Sequence, residues 1–137
     1  MAQQKIVITQ NFNERVASVY ERLSDHNKLG EVFGVPVKRI KDGRNAPNGV
    51  GSVRRIAGGP LAVEETVTAA EPNRSIDYRI TKGGAPIRNH SGRIEFSEAS
   101  DGSRVRWTIE FDAPPVAGPA LRVILEKGIS RGLKRMA

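Results

Sequence analysis

Only two side chains in the sequence titrate near neutrality, His26 and His90, and there is no cysteine. Thiolate chemistry and disulfides are therefore excluded, and two histidines alone leave no conventional structural zinc set. His90 has the stronger claim to a chemical role. It is in phase with Gly92, Ile94 and Phe96 along an alternating run, so it shares their inward face while Arg93, Glu95 and Ser97 take the wet side. Glu65 is placed likewise, in phase with Leu61, Val63, Val67 and Ala69. An imidazole and a carboxyl group on one apolar interior could exchange protons with a bound carbonyl compound. That is the chemistry of aldol-type cyclisation, dehydration or isomerisation. Plainer readings stand beside it: a core histidine satisfied by backbone or water, and a carboxylate paired with His90 or with an inward arginine.

Tyr78, in step with Ile76 and Ile80, brings a hydroxyl able to orient a ligand carbonyl. Trp107, the sole tryptophan, shares a face with Val105, Ile109 and Phe111. Tyr78, Ile80, Phe96, Trp107 and Ile109 are thus the expected sheet side of a pocket. Leu125, Gly128 and Gly132 fall on the apolar stripe of a C-terminal helix and are its expected roof. Two glycines one turn apart there either leave room for a ligand or let the helix pack closely. No nucleophile is placed beside His90, so no Ser-His-Asp or Cys-His arrangement is indicated. The Gly58-Gly59 and Gly83-Gly84 turns lack the following helix and lysine of a phosphate cradle, and no cofactor is expected.

The elements that must hold these residues are legible in the hydrophobic period. Lys5 to Thr9 suits a first strand. Val16, Val19, Tyr20 and Leu23 then mark an amphipathic helix, with Asn13 placed as its N-cap and Glu14 near its positive end. Ser24 and Asp25 close it and cap a second short helix carrying Leu29, Val32 and Phe33, which Gly34 and Pro36 end. Six strands follow, at about Val35 to Lys41, Val50 to Ala57, Leu61 to Ala70, Ser75 to Lys82, Ile87 to Glu98 and Ser103 to Ala113. Turn residues separate them, among them Asp42-Gly43, Gly58-Gly59-Pro60, Glu71-Pro72-Asn73 and Asp101-Gly102. Arg39, Arg54 and Arg55 do not phase cleanly with their neighbours, and no face is assigned to them. Beyond Gly118-Pro119 the period is helical, with Leu121, Ile124, Leu125, Gly128, Ile129, Gly132 and Met136 on one stripe.

This order of elements resembles the helix-grip fold of the START and birch-pollen-allergen-like (SRPBCC) superfamily. The stretch Phe12 to Asp25 (FNERVASVYERLSD) is similar to its opening helix. Glu64 to Arg74 (EETVTAAEPNR) resembles its Glu-rich strand running into "E-P-x-R". Asn89-His90-Ser-Gly92 with Gly102 to Phe111 resembles the closing hairpin of the polyketide cyclase/dehydrase and lipid transport-like branch. Asn13 stands where that family often has proline, and Leu29 and Phe33 where it has tryptophans. The resemblance implies one α+β domain over residues 1–137. A curved antiparallel sheet of about seven strands would wrap around a long C-terminal helix, with two short helices after the first strand. It also implies a cavity between sheet and helix for a lipid, polyketide, quinone or similar molecule.

The net charge of +7 raises the question of nucleic acid, but the basic residues outside the last helix are scattered singly, with no aromatic-interleaved patch. No apolar run reaches the ~18 residues of a crossing helix, and the first residues lack the apolar core of a signal peptide, so a cytoplasmic location is expected. Binding or transport of a small hydrophobic molecule is the leading expectation. A cyclase or dehydratase using His90 and Glu65 is the second, and RNA or ribonucleoprotein interaction through the basic C-terminal helix the third. His90, Glu65, Tyr78 and Trp107 should then look toward a shared hollow roofed by that helix.

Overall fold

The computed structural model describes residues 2–137, apart from the side chain of Leu61. β1 (Ala2–Phe12) leads into α1 (Val16–Ser24), a 3-10 turn (His26–Lys28) and α2 (Gly30–Phe33). A meander follows, of β2 (Val37–Lys41), β3 (Val53–Ile56), β4 (Val63–Glu71), β5 (Ser75–Lys82), β6 (Arg88–Ala99) and β7 (Gly102–Ala113), and α3 (Ala117–Met136) completes the fold. The strands form one curved seven-stranded sheet in the order β1-β7-β6-β5-β4-β3-β2, every pair antiparallel. This is the helix-grip fold.

Period-two alternation decides which face is covered. Ile6, Ile8 and Phe12 of β1, Ile94 and Phe96 of β6, and Val105, Trp107, Ile109, Phe111 and Ala113 of β7 are buried on the concave side. Arginines, glutamates and threonines alternate with them on the convex side. Val19 and Leu23 of α1, Val32 of α2, and Ile129, Leu133 and Met136 of α3 close the core from above.

Several local expectations are corrected. Asn13 is not the N-cap of α1. The helix starts after Arg15, with no side-chain cap, and Glu14 pairs with Arg22 in the last turn of the helix. Asp25 does cap, but it caps the 3-10 turn, accepting from the Asn27 N–H at 3.0 Å. β4 begins at Val63 because Gly59–Leu61 forms a 3-10 turn, and the expected inward side chain of Leu61 lies outside the described residues. A register shift between Val67 and Ala69 turns Ala69 outward and brings Ala70 toward the core.

The buried stripe of α3 also differs from the expected one. Ile124 and Gly128 are exposed, Leu121 and Leu125 are half-buried, and Leu133 is fully buried. The reason is where the helix rests. Its contacts are mainly with β1 and α2, with a minor one to β7, and a side-chain carbon at Gly132 would lie 2.1 Å from the Val32 carbonyl oxygen. Gly132 is therefore a close-approach glycine against α2, and does not make space over the sheet. A carbon added at Gly128 would meet nothing within 4 Å.

Candidate functional site

The β3–β4 hairpin sets Arg54 directly opposite Glu65, and both side chains turn to the concave face. Arg54 Nε donates to Glu65 Oε1 at 2.9 Å. Its Nη2 lies 2.7 Å from the same oxygen but is too poorly aligned for a hydrogen bond, and makes none among the described residues. Nη1 donates to His26 Nδ1 at 3.3 Å. The guanidinium carbon sits 4.5 Å from the centre of the Tyr78 ring and 6.0 Å from that of Phe33. Carboxylate, imidazole and two aromatic rings thus surround a charge that water does not reach.

His26 is brought to this cluster by the 3-10 turn that Asp25 caps. A guanidinium has no acceptor to offer, so His26 Nδ1 must be the bare nitrogen and Nε2 carries the proton, directed to Ser52 Oγ at 2.7 Å. Burial, with Arg54 and Arg39 adding like charge, holds the His26 pKa down at about 3. It is a neutral structural histidine.

His90 is fixed in the same sense from the other side. Its Nδ1 accepts from the Ile80 backbone N–H at 3.0 Å, which places its proton on Nε2. That nitrogen faces Glu65 Oε2 across 3.9 Å, beyond hydrogen-bonding distance. Burial lowers the His90 pKa; the Glu65 charge opposes this, and Arg54 and Arg79 reinforce it. At neutral pH His90 therefore presents an N–H donor into the interior. Serving as a base at Nε2 would require the other tautomer, whose Nδ1–H would confront the Ile80 N–H.

Tyr78 and Trp107 form the third part. Gly92 stands opposite Tyr78 on β6, and a side-chain carbon there would fall 2.1 Å from the phenol ring. The missing side chain lets the ring lie across β6 and accept from Trp107 Nε1, on the next strand, at 2.7 Å. The Trp107 indole is also met edge-on by Phe33 at 5.9 Å, so α2 presses on both Trp107 and Arg54. Burial pushes the Tyr78 hydroxyl far above its ordinary pKa, with the Glu65 charge adding to it, and it stays protonated.

Of the residues expected to share the interior, His90, Glu65, Tyr78 and Trp107 are all buried on the concave face and linked in this cluster. Ile109 is buried beside them, opposite Gly92. Phe96 lies elsewhere. It stands six residues from His90 on β6, about 20 Å away by strand rise, with Tyr20 of α1 edge-on at 5.0 Å. Ile80 is half-buried near the end of β5. The β3–β4, β5–β6 and β7–α3 connections share that end of the sheet, where Val63, Ile80, Ile87, Leu121 and Leu125 are all half-buried. Glu65 and His90 are the cluster residues closest to it along β4 and β6. Two open surface hollows are present: one of about 700 Å³ at the α2–α3 junction, away from the cluster, and one of about 600 Å³ on the outer side of β5 and β6, whose lining reaches Tyr78, His90 and Gly92 of the cluster. Among the described residues no three His, Asp or Glu side chains converge to hold a metal ion.

Arg54, His26, Ser52 and Phe33 are the members of the cluster that the sequence reading did not place. Arg54 left a usable sign: it lies as far before Gly59 as Glu65 lies after Pro60, so a hairpin centred on that turn must pair them. Arg55 then falls outward against Glu64, while Arg39 turns to Asp42 and Asn48. His26 sits in no periodic segment and left no such sign.

The family described as "Polyketide cyclase / dehydrase and lipid transport" matches residues 3–137. Among solved structures, a protein of Nitrosospira multiformis is 17% identical with a TM-score of 0.74, covering 95% of this chain and 93% of its own. Ara h 8.0201 is 14% identical with a TM-score of 0.71, covering 98% and 97%. A Chromobacterium violaceum protein is 17% identical with a TM-score of 0.71, covering 96% and 95%. At these identities the likeness is one of fold. No curated relative matches the chain.

Proposed function

Because the chain belongs to the polyketide cyclase/dehydrase and lipid transport family, we propose that its interior holds a small, largely apolar molecule by an oxygen that accepts a hydrogen bond from His90. Family and fold support ligand binding in general; the chemistry of the contact is our reading of the cluster. One observation carries it: the Ile80 N–H occupies Nδ1, leaving the Nε2 proton turned toward Glu65 and, among the described residues, claimed by no acceptor within hydrogen-bonding distance. A carbonyl or hydroxyl oxygen satisfies such a donor, and the half-buried Val63, Ile80, Ile87, Leu121 and Leu125 suit an apolar body. Lipids, polyketides and quinone-like molecules carry both features.

Binding or transport is favoured over cyclisation or dehydration by the same bond. Acid/base turnover needs His90 to take and return a proton at Nε2, and the backbone donor at Nδ1 holds it in the form that cannot accept one there. Glu65, the other candidate, has one oxygen engaged by Arg54. Native mass spectrometry of the purified protein, with identification of any retained molecule, tests the proposal. Loss of the Nε2 donor in His90→Ala should weaken retention of that molecule by up to about tenfold, the worth of one hydrogen bond. A chemical conversion of it that His90→Ala or Glu65→Gln abolishes, with binding intact, would instead establish the enzyme reading.

A further inference from the structure

The outward side of α3 is divided along its length. Its first turns present Val116, Ala120, Val123 and Ile124, of which Val116 is 92% exposed, Ile124 66% and Val123 40%. Its later turns present Lys127, Arg131 and Lys134 at the same angular position, which at about 100° per residue is opposite the buried Ile129 stripe. Arg122 is turned aside, 3.7 Å from Glu126. The helix as a whole carries five basic residues against that one acid. None of these outward side chains except Arg122 has an ion-pair partner among the described residues. Among those residues no helix is long and apolar enough to cross a membrane.

We propose that this face rests on an anionic lipid surface, with the Val116–Ile124 tip among the headgroups and upper acyl chains and Lys127, Arg131 and Lys134 on the phosphates. An apolar tip followed by a basic band fits a layer that is apolar below and negatively charged above. RNA would engage the basic band and leave Val116 and Ile124 in water. A second copy of this chain would bring like charge against like charge. The tip also borders the end of the sheet where the half-buried apolar residues gather, because α3 leaves β7 there. The surface contact is independent of what the interior holds.

Co-sedimentation with phosphatidylcholine vesicles, with and without phosphatidylserine, tests it on the whole chain. The protein should sediment with the phosphatidylserine vesicles and stay in solution with phosphatidylcholine alone. Val116→Asp with Ile124→Asp should lower the bound fraction by about tenfold or more, and so should Lys127→Glu with Arg131→Glu. These side chains are exposed, and an unchanged far-ultraviolet circular dichroism spectrum checks that the variants fold. Failure to sediment overturns the proposal, as does binding that the aspartate pair leaves unchanged. Binding to poly(U) that survives the aspartate pair, with none to vesicles, assigns the face to RNA. A dimer in light scattering that Ile124→Asp dissolves assigns it to self-association.

Discussion

Arg54 and Glu65 oppose one another across β3 and β4 with side chains only 1% and 7% exposed, so the concave face is organised around an ion pair removed from water. Such a pair returns little net stability once its desolvation is counted, but losing one partner strands the other charge. Arg54→Met or Glu65→Leu alone should each cost about 3–5 kcal/mol. The double substitution should recover most of that loss, because an apolar pair of similar volume needs no partner. Urea denaturation of the four proteins gives the coupling. Additive losses would mean that the two side chains do not depend on one another.

Acid should destabilise the fold through His26. Its folded pKa of about 3 lies below the ordinary 6.5, so between those values the unfolded chain binds the proton and the folded chain does not. Stability is complete above pH 6.5 and falls as the pH is lowered toward 3, by about 1.4 kcal/mol per pH unit for one proton in mid-window. His90, shifted in the same direction, adds to the slope. His26→Asn should be less stable at pH 7 but flatter below it. Calorimetry at a series of pH values separates the two effects; an equal slope in the variant would assign the acid sensitivity to other groups.

The glycines of α3 and β6 should separate sharply when each is replaced by alanine. Gly128 meets open space in a helix interior, so Gly128→Ala should stabilise by about 0.8–1 kcal/mol through propensity alone. At Gly132 the added carbon would fall on the Val32 backbone, and at Gly92 on the Tyr78 ring. Overpacking should cost about 1–3 kcal/mol or more at each. Gly92→Ala should also shift Trp107 fluorescence, because the displaced phenol accepts the indole hydrogen bond.

Strand parity made the interior legible where a strand runs regularly. Tyr78 and Trp107 sit mid-strand among alternating residues, and their burial follows from period two. His90 stands near the start of β6, within the irregularity between Arg88 and Ser91, yet keeps phase with the buried Gly92, Ile94 and Phe96. Parity stops at a bulge, which is why Ala69 lies outward, and it cannot phase a strand of four residues such as β3. For α3 the stripe was visible, but its rotation depends on what the helix rests against. A 3.6 period does not distinguish a helix laid over the sheet from one leaning on β1 and α2. His26 was beyond reach for a further reason: a one-turn 3-10 segment has no period, and its place is set by a cap and by two side chains distant in sequence.

The bond from Ile80 to His90 makes a claim about a single proton. If Nδ1 accepts from the backbone, the neutral ring must carry hydrogen on Nε2, and the same must hold for His26, whose Nδ1 faces a guanidinium. Nitrogen-15 spectra of labelled protein at pH 7 should then show both rings as neutral Nε2–H tautomers. Only His90 should respond when an oxygen-bearing apolar ligand is added, through its Nε2 proton, since that of His26 is directed to Ser52. Neutral His90 with its proton on Nδ1 would free Nε2 as an acceptor and restore the acid/base reading. A charged His90 would point instead to an ion pair with Glu65, closing the 3.9 Å gap on which ligand contact with Nε2 depends.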